Sequence, residues 1–72
     1  MIYSLSQEAL SKREKEVLTL YSKGLNYNQI AESLTISPAT VRKHIENIYK
    51  KMKVHNKIEA IQEALKSKLI KL

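Results

Sequence analysis

Residues 26–52 read NYNQIAESLTISPATVRKHIENIYKKM, and this stretch decides the fold. Asn26 stands three residues before Gln29, the spacing of a capping box at a helix start. Tyr27, Ile30, Ala31 and Leu34 then fall on one face of a short helix over 27–34. Thr35 and Ile36 follow as a turn. Ser37 and Pro38 open a second helix, with proline at the first helical position, where its missing N–H costs nothing. That helix runs over 38–52 and places Val41, Ile45, Ile48 and Met52 on a buried strip.

The same signals extend outward in both directions. Ser11 and Glu14 mark the start of a helix over 12–23, with Leu10, Val17, Leu18 and Tyr21 as its apolar stripe. Gly24 follows, suited to a left-handed cap. Asn56 and Glu59 open a last helix over 57–66 or beyond. Its Ile58, Ile61 and Leu65 repeat at i, i+3 and i+7, which fits packing onto the first helix. Ala60 and Ala64 lie four apart on a neighbouring strip, where small side chains would let a second backbone approach. Leu69 and Leu72 extend the first edge if the helix continues. One glycine and one proline in 72 residues punctuate the chain too little for a small β-protein. The expectation is an all-α fold of four helices in one domain over residues 10–72, preceded by residues 1–9 as an arm or a helical extension.

The second half carries the charge. Residues 1–36 hold four bases and four acids, whereas residues 37–72 hold nine bases and only Glu46, Glu59 and Glu63, so the whole net charge of +6 lies there. Such an asymmetry suits a polyanion, though a solubilising lysine surface would look similar. A core of this size is marginally stable alone, and with no cysteine the chain has neither disulfide nor thiolate metal site to assist it. Self-association remains. No run of 18 apolar residues spans a membrane, and the opening MIYS does not read as a secretory leader.

A short helix, a tight turn and a longer helix with a basic outer face form a helix-turn-helix. Removing the buried strip of the third helix leaves Ala39, Thr40, Arg42, Lys43, Glu46, Asn47, Tyr49 and Lys50 toward solvent. The major groove of DNA is about 12 Å wide and admits one such helix. Arg and Lys can donate to guanine, Glu can accept from cytosine, and a helix start offers free N–H groups to a phosphate.

The pieces LSKREKEVL (10–18), Gly24, QIA (29–31), LTIS (34–37), TVRKH (40–44), NI (47–48), KMKV (51–54), NK (56–57) and EA (59–60) together resemble the LuxR-type domain. That domain also ends many FixJ- and NarL-like response regulators. The resemblance spans about residues 10–66. It implies a homodimeric, sequence-specific transcription regulator of the cytoplasm, whose third helix enters the major groove of double-stranded DNA and whose fourth helix pairs two copies. RNA polymerase is a candidate further partner. By resemblance, Arg42, Lys43 and Glu46 sit where bases are read. Asn28, Thr40, Lys51 and Lys57 sit where the DNA backbone is held, and Ala60 and Ala64 belong to the pairing helix. Three positions depart from the family pattern. Lys53 replaces a usual Gly, and a left-handed Lys would be strained by about 1 kcal/mol, so that turn is expected to be built differently. Lys57 replaces Arg, exchanging a bidentate contact for a point charge. Gln29 replaces Glu.

No catalytic, cofactor or metal constellation competes. His44 and His55 stand eleven residues apart with no Cys, so His44 reads as a packing or phosphate-facing residue. Glu14 reads as a cap and Glu16 as a solvated charge, not as a catalytic pair. Tyr3, Tyr21, Tyr27 and Tyr49 read as core or rim, and Lys66, Lys68 and Lys71 as a solvated tail. The chain has no Asp, hence no receiver-type phosphoacceptor, and reads as either a stand-alone regulator or the C-terminal piece of a longer one. The alternatives are a protein-interaction adaptor that keeps the fold and a sigma-factor-like promoter module. The basic third helix argues against the first and the pairing helix against the second.

Overall fold

The computed structural model describes residues 9–68, which form four helices: α1 (Lys12–Ser22), α2 (Tyr27–Leu34), α3 (Pro38–Met52) and α4 (Lys57–Lys66). The caps set these boundaries. At α1, the Glu14 N–H donates to Ser11 Oγ (3.1 Å) while the Ser11 N–H donates back to Glu14 Oε1 (2.9 Å). Asn26 and Gln29 make the same reciprocal pair at α2, at 2.8 and 2.9 Å. Ser37 caps α3 by accepting from the Thr40 N–H at 3.1 Å. At α4, Asn56 accepts from the Glu59 N–H, but Glu59 reaches one residue further back and accepts from the His55 N–H at 2.8 Å. The expected capping box is therefore offset by one residue there.

The helix ends need left-handed backbone. Gly24 follows α1 with φ +95, where a Cβ would meet nothing within 4 Å, so the dihedral and not space selects glycine. After α2 the same role falls to Thr35 (φ 58), and after α3 to Lys53 (φ 58, ψ 45). This corrects the expectation for Lys53. The turn is not built differently; it keeps the left-handed geometry, and the Val54 N–H closes it on the Tyr49 carbonyl at 3.0 Å. The strain is about 1 kcal/mol, partly offset because lysine has fewer unfolded conformations than glycine. Lys53→Gly is accordingly expected to raise the thermal midpoint by about 2–4 °C; an unchanged or lower midpoint in a calorimetric scan would show that no strain is stored there.

The core unites Leu10, Val17 and Leu18 with Ile30 and Ala31 of α2, and with Val41, Ile45 and Ile48 of α3. Tyr21, Tyr27, Leu34 and Met52 pack against it half-buried. On α4 the expected faces are partly exchanged: Ile61 packs against the core half-buried as expected, but its companions on that strip do not. Ala60 and Ala64 are fully buried, whereas Ile58 is 69% and Leu65 39% exposed. Ala60 and Ala64 are therefore core residues and not a pairing strip. The helix packs chiefly on α3 rather than on α1. The physical reason is the closeness of that packing: methyl side chains let the backbone of α4 approach, which pushes the larger aliphatics to the flanks. The readings of residues 1–8 and of Leu69 and Leu72 lie outside the described residues.

Candidate nucleic-acid interface

The buried strip of α3 fixes which side chains face outward. Thr40, Arg42, Lys43, Glu46 and Lys50 are exposed, and His44, Asn47 and Tyr49 stand at the margin. Among the described residues the ion pairs are Arg13–Glu16 and Lys51–Glu14, so Arg42, Lys43 and Lys50 carry no carboxylate partner. Three expected base-reading residues thus share one accessible face with their charges available.

The N-terminal end of α3 is narrower as an anion site than the sequence implied. Pro38 has no N–H, the Thr40 N–H is taken by Ser37, and the Val41 N–H donates to the Ser37 carbonyl. Ala39 keeps the open donor at this end among the described residues. The Thr40 hydroxyl is exposed and lies 2.9 Å from Ser37 Oγ. Asn28 is exposed as well, and it lines an open groove of about 710 Å³ together with Ser37 and Pro38. The starts of α2 and α3 therefore open onto one concavity.

Lys51 is placed elsewhere. Its ammonium donates to Glu14 Oε1 at 2.8 Å, joining the end of α3 to the cap of α1, and the Glu14 side chain is only 6% exposed. Burial pushes the Glu14 carboxyl up, but the Lys51 hydrogen bond, the Ser11 N–H and the Lys51 charge outweigh it, and the net pKa lies below the usual carboxylate value. Lys51 is thus tied to the core, with its charge compensated by Glu14. The signal was present in the sequence: Glu14 falls on the same strip as Leu10, Val17, Leu18 and Tyr21, where a carboxylate needs a cation.

Lys57, the first residue of α4, is half-buried, with Nζ 4.5 Å from the centroid of the Tyr21 ring. The Tyr21 and Tyr49 hydroxyls share a hydrogen bond at 3.3 Å, and the Tyr27 ring lies 6.0 Å from that of Tyr21. Burial first, then the Tyr49 hydroxyl, pushes Tyr21 up to about 12. Burial, then Tyr21, raises Tyr27, against an opposing effect of Arg42. Both phenols stay neutral at physiological pH. Composition offered no sign of this cluster, because three tyrosines from three helices meet only in the fold.

Four short helices, with α2 and α3 joined by a tight turn and a basic α3 face turned outward, define the helix-turn-helix class. The model for bacterial regulatory proteins, luxR family (GerE), matches residues 8–64. The chain belongs to that family, which comprises DNA-binding regulators and not enzymes. It is 40% identical over 63 residues to the transcriptional regulatory protein DegU of Brevibacillus brevis, covering 88% of this chain and 27% of DegU. The chain thus spans about a quarter of the length of such curated relatives. Among solved structures, the response regulator ChrA of a haem-sensing two-component system superposes with a TM-score of 0.85 at 42% identity, over 92% of this chain and 33% of ChrA. The transcription factor GerE superposes with a TM-score of 0.82 at 34% identity, over 86% of this chain and 92% of GerE. No helix among the described residues is long and apolar enough to cross a membrane.

Proposed function

We propose that the chain is a sequence-specific, homodimeric DNA-binding domain of a cytoplasmic transcription regulator, either standing alone or serving as the effector part of a response regulator. The observation that carries this reading is the outer face of α3, where Arg42, Lys43 and Glu46 are exposed and unpaired above a rigid strip of Val41, Ile45 and Ile48. In the major groove Arg42 and Lys43 donate to guanine edges and Glu46 accepts from cytosine. Asn28, Thr40, Lys57 and the Ala39 N–H hold phosphates on either side and set the register. Two copies pair through the outer edge of α4, where Ile58 and Leu65 stand exposed with Gln62 between them. One helix edge buries little surface, so the pair is weak in free solution and completed on DNA. Two-fold symmetry then calls for inverted half-sites about one turn apart or less.

The reading is tested by selecting bound sequences from random duplexes and comparing the selected site with a scrambled one. Arg42→Ala or Lys43→Ala is expected to reduce the discrimination by about 1–3 kcal/mol. Lys57→Ala is expected to weaken both duplexes alike. Unchanged preference in both the Arg42 and the Lys43 variant would contradict the assignment of this face.

A further inference from the structure

Lys57 sits where a lysine is unfavourable for its own helix. It is the first residue of α4, at the positive end of the helix dipole, where acids are preferred. No carboxylate holds it among the described residues. What holds it is the face of the Tyr21 ring, 4.5 Å away. That ring is itself fixed, by the hydroxyl of Tyr49 at 3.3 Å and by packing beside Tyr27 at 6.0 Å. All four helices contribute one residue to this cluster. Tyr49 belongs to α3, so the cluster is anchored on the same helix that carries the outer basic face.

The contrast with Lys51 defines what the ring does. A carboxylate orients a lysine and cancels its charge, as Glu14 does for Lys51. A neutral aromatic face attracts the ammonium through its quadrupole and leaves the charge whole. It also limits the rotamers of a side chain that otherwise loses conformational entropy when a ligand immobilises it. An ammonium held in this way keeps N–H donors for an outside anion.

We propose that Tyr21 is a positioning residue, which holds the Lys57 ammonium over its ring and presents it, unneutralised, to a phosphate of the DNA backbone. The proposal rests on the DNA-binding reading above.

The test is a double-mutant cycle on duplex binding, with Tyr21→Leu, Tyr21→Phe and Lys57→Ala in the full chain. Tyr21→Leu is expected to weaken binding about two- to fivefold, equally for the selected and scrambled duplexes. Tyr21→Phe keeps the ring and is expected to retain most of the affinity. Lys57→Ala is expected to lower the salt slope by about one for each protomer bound, and in that background Tyr21→Leu should have no further effect. Without DNA, the Lys57 side-chain methylene protons should show an upfield ring-current shift that persists in Tyr21→Phe and disappears in Tyr21→Leu. If wild type binds duplex but Tyr21→Leu costs nothing, or costs the same with and without Lys57, Tyr21 acts by packing alone and the proposal fails while the DNA reading stands. If wild type binds no duplex at all, both fall, even with the ring-current shift present.

Discussion

Ala64→Glu is expected to unfold the domain, and Ile58→Glu to leave it folded but unable to bind DNA cooperatively. The two substitutions place the same side chain on opposite edges of α4. Ala64 has no exposed surface, in a slot that fits a methyl group. A glutamate there must bury a charge without a partner and force α4 away from α3, a combination that costs more than about 4 kcal/mol. A domain of this size has only about 4–11 kcal/mol to lose. Ile58, at 69% exposure, can carry a carboxylate into water without disturbing the core. Across a two-fold axis, however, Ile58→Glu sets like charges together and removes the apolar contact. Circular dichroism melts and titration of a duplex with two inverted half-sites separate the cases. A wild-type melt for Ala64→Glu would contradict the burial described for α4. Unchanged cooperativity for Ile58→Glu would place the pairing surface elsewhere.

The second large effect concerns Lys51. Lys51→Ala strands the Glu14 carboxylate in the core, a loss of about 3 kcal/mol at neutral pH. The pH dependence carries the sign. In the wild type the folded Glu14 titrates below its ordinary value of 4.5, so its contribution is present above that pH and is lost as the pH falls through the lowered value. Without Lys51, burial is opposed only by the Ser11 hydrogen bonds, and the pKa rises. The stability deficit of the variant should then narrow as the pH is lowered toward 5. Glu14→Gln should cost less, since the Lys51 side chain, already 26% exposed, can turn into water, and its cost should vary little with pH. Urea denaturation between pH 4 and 8 checks both. A Lys51→Ala variant as stable as wild type at pH 7, with weakened DNA binding, would place Lys51 in the phosphate-holding set.

The helix boundaries were legible because capping is local: Ser11, Asn26, Ser37 and Asn56 each bind a backbone N–H three residues on, and that spacing is written in the chain. The burial of α3 was legible for a similar reason, since four aliphatics at helical spacing leave one outward face. Rotation of α4 was not. Its two strips, one large and one small, both suit a core, and the choice depends on how near α3 lies. The Lys51–Glu14 pair joins residues 37 apart in sequence, and nothing in the spacing alone selects Glu14 as the partner. The left-handed Thr35 and Lys53 were missed as a class, because the local signal for such a turn is glycine and tertiary packing overrode it here.

The central claim, that the α3 side of this domain binds the DNA polyanion, is tested most directly by the salt dependence of its affinity for a two-half-site duplex. A dimer that neutralises about six to eight phosphates should give a log–log slope of roughly −5 to −7. A slope near zero, or no retardation of duplex at low salt, would contradict it.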